Sequence, residues 1–141
     1  MPGGYLLDTN VVSELRKRER ADPGVRSWFD EHADGTLWLS VLVVGELRRG
    51  CELLRRRDEQ AGDAVLIWLD GVTTSFSDRI LPVTTEVAER WALLNVPDPL
   101  PVIDGLLAAT AIEHDLVLVT RNIADVERTG VATENPFAGD R

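Results

Sequence analysis

Apolar residues in this chain come in short runs without polar alternation: Tyr5-Leu6-Leu7, Leu37-Trp38-Leu39, Ile80-Leu81-Pro82-Val83 and Leu116-Val117-Leu118-Val119. A strand with one wet face alternates polar and apolar positions, so unalternated runs predict strands covered on both sides, as in a parallel sheet. Between the runs the period changes. Val44, Leu47, Cys51 and Leu54 recur at i, i+3, i+7 and i+10, the spacing of one helix face, with Ser40 placed as the N-cap. Ile103, Leu106, Leu107, Thr110 and Ala111 form a second stripe, opened by the turn Pro97-Asp98-Pro99-Leu100-Pro101 and ending near Asp115. The stretch from Arg55 to Ser77, with Val65, Leu66, Trp68 and Leu69 late in it, reads as further helix rather than linker.

Strand and helix therefore alternate, which predicts right-handed crossovers and an α/β chain folded as a three-layer α/β/α domain around a mostly parallel central sheet. No repeat, low-complexity tract or boundary interrupts residues 1–141, which read as a single domain. At 141 residues and 44% hydrophobic content, one substantial core is expected. The end from Asn135 to Arg141 reads as loosely held, with Phe137 as its candidate anchor.

Composition narrows the setting. No apolar run approaches the ~20 residues that cross a bilayer, and the first residues lack the basic and apolar regions of a signal peptide, so a cytoplasmic protein without a membrane partner is expected. Cys51 is the sole cysteine and is expected to be a buried thiol. Fifteen Lys and Arg against 24 Asp and Glu leave a formal charge of −9, which argues against broad adhesion to nucleic acid. A local basic groove remains compatible with that total, as does recruitment of divalent cations. The basic residues are bunched in Arg16-Lys17-Arg18 with Arg20, in Arg48-Arg49 and in Arg55-Arg56-Arg57; solvated helix faces explain such clusters most simply.

The acids carry the candidate chemistry. Asp8 ends the first apolar run, although Asp is depleted in strands, and ligands of open parallel sheets bind outside the carboxyl ends of the strands. Asp104 opens the helix before the fourth strand, and the proposed topology brings it to the same sheet edge. Two carboxylates ~4 Å apart repel by about 4 kcal/mol at an effective dielectric near 20, so a cation is expected between them. Oxygen donors without a Cys and His cluster favour Mg²⁺ or Mn²⁺, which would orient a phosphate and lower the pKa of a bound water. Asp8 and Asp104 are the primary candidate ligands. Glu46, in the second turn of its helix, would complete the metal shell or hold the attacking water, and Asn122 or Asp125 would supply the last oxygen. Thr9, Ser40, Thr120 and Arg121 are candidates for supporting the ligands or positioning phosphate. Taken singly, each has a plainer reading: Asp104 suits the first turn of any helix, Asp125 could cap a short one, and Glu46 could be a solvated helix residue.

Together, the segments Leu7-Asp8-Thr9-Asn10-Val11-Val12-Ser13-Glu14-Leu15, Leu39-Ser40 with Gly45-Glu46-Leu47, Asp104-Gly105-Leu106-Leu107-Ala108-Ala109-Thr110-Ala111 and Val119-Thr120-Arg121-Asn122 with Asp125 resemble the PIN-domain ribonucleases, and among them the VapC toxins. The resemblance spans almost the whole chain. It implies Mg²⁺- or Mn²⁺-dependent cleavage of RNA by metal-activated water, a VapB-type antitoxin partner and a homodimer within a larger toxin-antitoxin complex. The family's first Asp falls on Asp8, its Glu on Glu46 and its third acid on Asp104; its fourth position falls on the neutral Asn122, with Asp125 a turn later. Gly105 stands where Ala is more usual. The resemblance also lets Arg16, Arg48 and Arg49 border the site to meet phosphates or antitoxin carboxylates, and gives Trp28 or Trp68 a place at an interface.

Two other readings compete: a PIN-like module that binds RNA or a partner without cutting, and a phosphohydrolase with Asp8 as nucleophile. The second usually wants another Asp at the position of Asn10. His32 and His114 read as ordinary surface or helix-end histidines, and Trp28, Trp38, Trp68 and Trp91 as packing residues.

Overall fold

A computed structural model describes residues 3–34 and 36–140, so Arg141 of the expected loose end lies outside the described residues. In chain order the elements are β1 (Tyr5–Leu7), α1 (Thr9–Leu15), α2 (Pro23–Glu31), β2 (Leu37–Ser40), α3 (Val41–Arg55), α4 (Glu59–Ser75), β3 (Ile80–Leu81), α5 (Thr85–Leu94), α6 (Val102–Glu113), β4 (Val117–Val119) and β5 (Thr133–Glu134). Short 3-10 turns lie at Arg18–Arg20, Ile123–Asp125, Glu127–Thr129 and Ala138–Asp140. The sheet order is β3-β2-β1-β4-β5, and every neighbouring pair is parallel. This is the expected three-layer α/β/α arrangement.

The four apolar runs all become strands. The third is shorter than its run, because Pro82 has no amide hydrogen to continue a ladder. The fifth strand pairs Thr133 with Leu118 and Glu134 with Val119, and its polar residues gave no apolar signal. Three helices without a predicted stripe start at polar caps instead, α1 at Asp8 and α2 and α5 likewise. Asp22 accepts from the amides of Gly24 and Val25 with Pro23 next in line, and Thr84 accepts from Val87.

Leu6, Leu7, Leu39, Leu118 and Val119 from the strands meet Val11, Val43 and Leu107 from the helices, all essentially inaccessible to water. Each such Leu or Val contributes about 1.5–3 kcal/mol by burial. The buried arc of α3 is Val43, Leu47 and Cys51, one residue round from the expected stripe, with Val44 and Leu54 only half-buried. Cys51 is buried as expected, and its thiol donates to the carbonyl of Gly62 at 3.2 Å. Gly62 permits this close crossing of α3 and α4, since a Cβ there would meet the Arg55 backbone at 2.7 Å. Phe137 is buried against the core, anchoring the end of the chain as predicted. Among the described residues, no helix is long and apolar enough to cross a membrane.

This topology positions a site. From β1 the chain moves to β2 and β3 on one side of the sheet, and β4 and β5 fill the other. The order reverses between β1 and β4, whose carboxyl ends therefore flank a crevice of the kind in which α/β sheets bind ligands.

Candidate active site

Asp8 leaves β1 in extended conformation and caps α1. Its Oδ1 accepts from the Thr9 amide at 2.7 Å; its Oδ2 accepts from Asn10 Nδ2 at 3.2 Å and from the Thr120 hydroxyl at 2.7 Å. Only 5% of the residue is exposed. Burial raises the Asp8 pKa, while the hydrogen bonds from Thr120, Thr9 and Asn10 counteract it and the charge of Glu46 adds to the rise. Asn10 also accepts from the Arg121 amide at 3.2 Å, so it joins the ends of β1 and β4. It was not among the sequence-derived candidates, although its place two residues after a strand-end Asp was a usable signal.

Glu46 stands on the exposed side of α3, whose start is fixed by Ser40: the buried hydroxyl accepts from the Leu42 amide at 3.0 Å. Ser40 thus acts on Glu46 through the helix. The Thr9 hydroxyl donates to Glu46 Oε1, and the same residue's amide donates to Asp8. One threonine ties the first two acids together.

Asp104 is the third residue of α6 and is partly buried. Its pKa is pushed up to about 6, first by desolvation and then by the negative charges of Asp8, Asp125 and Glu46. The macrodipole of α6 would by itself favour ionisation in the first turn, so burial and like charge outweigh it here. That electrostatic coupling unites carboxylates from four separate elements. The next residue is Gly105 for a packing reason: a Cβ there would lie 3.2 Å from the Trp91 ring.

After β4, the Thr120 hydroxyl accepts from the Asn122 amide at 3.0 Å while donating to Asp8. Asn122 and Asp125 are exposed, and it is Asp125 whose charge reaches Asp104. Arg121 turns elsewhere. Its guanidinium binds Asp140 through two bonds of 2.9 and 3.1 Å and lies 4.6 Å from the centre of the Phe137 ring. The expected phosphate-positioning arginine is therefore committed to the carboxyl-terminal turn.

Among the described residues, no three Asp, Glu, His or Cys side chains are assembled so that they could hold a metal ion. The donor chemistry nevertheless suits a hard dication. All the grouped donors are oxygens, their mutual repulsion is expressed in the raised Asp104 pKa, and His32 is remote, stacked on Trp28 at 4.2 Å. Asn10, Thr120 and Thr9 donate to the Asp8 and Glu46 carboxylates, which keep further lone pairs for a cation.

Two depressions complete the picture. A cleft of about 260 Å³ opens beside Thr9 and Glu46, between α1, α3 and α4. A larger apolar groove of about 840 Å³ runs between α1, α2 and α4, lined by Leu15, Phe29, Trp68, Val72 and Phe76, with Arg18, Arg26, Glu19 and Asp30 among its polar positions. Trp68 reaches both, while Trp28 packs in the core against Tyr5.

The PIN domain family model matches residues 5–130. The chain belongs to the PIN-domain family. Among its curated relatives, the VapC ribonuclease Y4jK of Sinorhizobium fredii is 33% identical, covering 94% of this chain and 96% of that one. The toxin FitB of Neisseria gonorrhoeae is 32% identical, with 94% and 97% covered. A chain in the crystal structure of FitAcB from Neisseria gonorrhoeae superposes with a TM-score of 0.86 at 31% identity, covering 95% of this PIN domain and 99% of that chain.

Proposed function

We propose that this PIN domain is the toxin of a type II toxin-antitoxin pair, an endoribonuclease that hydrolyses RNA phosphodiesters with Mg²⁺ or Mn²⁺. The observation that carries the reading is the coupled acid set at the sheet's reversal point, where Asp104 is held near 6 by burial and by Asp8, Asp125 and Glu46. The names of the relatives, a ribonuclease and a toxin, support it. Intact acids weigh against a module that only binds.

Asp8 and Asp104 would hold the cation, with Asp125 as the charged candidate for the outer position and Asn122 as the neutral one. When bound, a hard dication stabilises charge on the phosphate and makes a neighbouring water more acidic. Glu46 would orient the attacking water or complete the metal shell. Thr9, Asn10 and Thr120 fix the carboxylates that do this, as outer partners of metal ligands commonly do. Ser40 supports α3, and Arg121 stabilises the turn after β4 through Asp140.

The apolar groove between α1, α2 and α4 is the proposed docking face for an amphipathic segment of a VapB-type antitoxin, with Arg18 and Arg26 to meet its acids and Glu19 and Asp30 its basic groups. A homodimer forms through the exposed apolar residues around the α5–α6 turn. The decisive experiment is cleavage of RNA by purified protein with Mg²⁺ or Mn²⁺, with EDTA, and by Asp8→Asn. Equal cleavage by the variant or in EDTA overturns the mechanism.

A further inference from the structure

The smaller cleft begins where the acid set ends. Thr9 and Glu46, already linked to Asp8, form one wall; Arg16 stands two helical turns along α1 from Thr9; Leu47 and Trp68 supply apolar surface. Gly50 leaves the α3 side open, because a Cβ built there would meet nothing within 4 Å. Several nearby cations are spoken for: Lys17 pairs with Glu14, Arg48 with Glu52, and Arg55 with Glu52 and Asp63. Arg16 has no ion-pair partner among the described residues.

From this arrangement we infer that the cleft accepts one unstacked nucleobase of single-stranded RNA, beside the phosphate to be cut. The inference rests on the ribonuclease reading above and adds to it the form of substrate that the site selects. A volume of about 260 Å³ falls just below the ~300–1,000 Å³ usual for drug-sized ligands, which suits a single flat ring system. An aromatic face and aliphatic wall suit the π-surface of a base, and sequence-dependent recognition of RNA depends on bases that can be splayed out of the stack. The positive charge is placed for the adjoining phosphate, which a guanidinium grips through paired hydrogen bonds. Glu46 at the mouth repels a phosphate entering the cleft itself, leaving the neutral base as the part that goes in.

The test is binding of a fluorescein-labelled single-stranded RNA to the intact chain in EDTA, read by anisotropy, with wild type, Gly50→Leu and Arg16→Ala compared. Leu at an exposed helical glycine favours the helix while filling the cleft, so it obstructs without unfolding. Binding is expected to weaken about tenfold for Gly50→Leu, the effect of losing one stacked base. An abasic substitution scanned along the RNA should weaken wild-type binding at one position and add nothing for Gly50→Leu. Arg16→Ala should lower the salt dependence by about one phosphate contact. Unchanged RNA binding by Gly50→Leu, or equal abasic sensitivity in both proteins, overturns the inference. Failure of the metal-dependent cleavage assay would instead overturn the ribonuclease reading, so the two failures are distinguishable.

Discussion

The Thr120 hydroxyl donates to Asp8 Oδ2 at 2.7 Å, linking residues 112 positions apart where two adjacent parallel strands end. The bond is buried, and it counteracts the desolvation that raises the Asp8 pKa. Thr120→Val preserves shape but removes the donor. A loss of about 1–3 kcal/mol is expected from leaving a buried acceptor short of a partner, with a further upward shift of the Asp8 titration. Urea denaturation and carboxyl NMR titration measure both; an unshifted Asp8 would deny Thr120 its role.

Asp104 makes stability depend on pH in the absence of metal. Its folded pKa of about 6 exceeds the ordinary 3.8, so between those values the folded chain binds more protons than the unfolded one. Stability therefore falls as pH rises through this window, and the penalty is complete above about pH 6. Asp104 is only partly buried, and solvent screening reduces the effect to about 1–2 kcal/mol. Asp104→Asn in EDTA should be more stable than wild type by that amount at about pH 7.5 and no more stable below about pH 4. A gain that is constant with pH would mean that packing, rather than charge, is responsible.

Added Mn²⁺ should reverse that order. A cation binding only the folded wild type stabilises it by about 2.7 kcal/mol at a hundredfold excess over its dissociation constant, and the Asn variant by much less. Thermal denaturation with and without Mn²⁺ reads the difference. Equal metal-induced stabilisation of both proteins would remove Asp104 from the ligand set.

Gly24 holds the carboxyl-terminal turn against α2. A Cβ there would approach the Pro136 carbonyl at 2.3 Å and the Ala138 amide at 2.6 Å, both backbone atoms with little freedom to retreat. Gly24→Ala should cost about 1–3 kcal/mol, as overpacking does, and should make the turn carrying Asp140 open to protease first. Limited proteolysis that finds the turn equally protected in both proteins would show that the contact yields elsewhere.

These relationships mark what the sequence could and could not reveal. Apolar runs located β1, β2 and β4 because a strand covered on both faces needs nothing else, and the acids Asp8, Glu46, Asp104 and Asp125 are coupled electrostatically as their places at strand and helix ends suggested. Thr133–Glu134 was invisible: its ladder depends on β4, which no local pattern encodes. Arg121 shows the same limit. Its place after Thr120 suggests phosphate binding, whereas its direction is set by Asp140 and Phe137 on a distant segment. Asn10 is half legible: its bond to Asp8 is local, while its bond from the Arg121 amide needs the fold.

Self-association is the remaining expectation that the surface makes specific. Leu93, in the last turn of α5, is 70% exposed, Val96 in the connection 73%, and Val102 at the start of α6 59%. Apolar residues scattered singly need no explanation, but three flanking one turn supply the apolar centre that a homodimer interface buries. A symmetric pairing would place each patch against its copy. Light scattering after size exclusion should give a dimer for wild type and a monomer for Leu93→Glu with Val96→Glu, because opposed glutamates would be buried without partners. These side chains are exposed in the single chain, so the variant's circular dichroism should remain that of the folded wild type. A monomeric wild type at micromolar concentration, or a dimeric variant, would assign the patch no part in pairing.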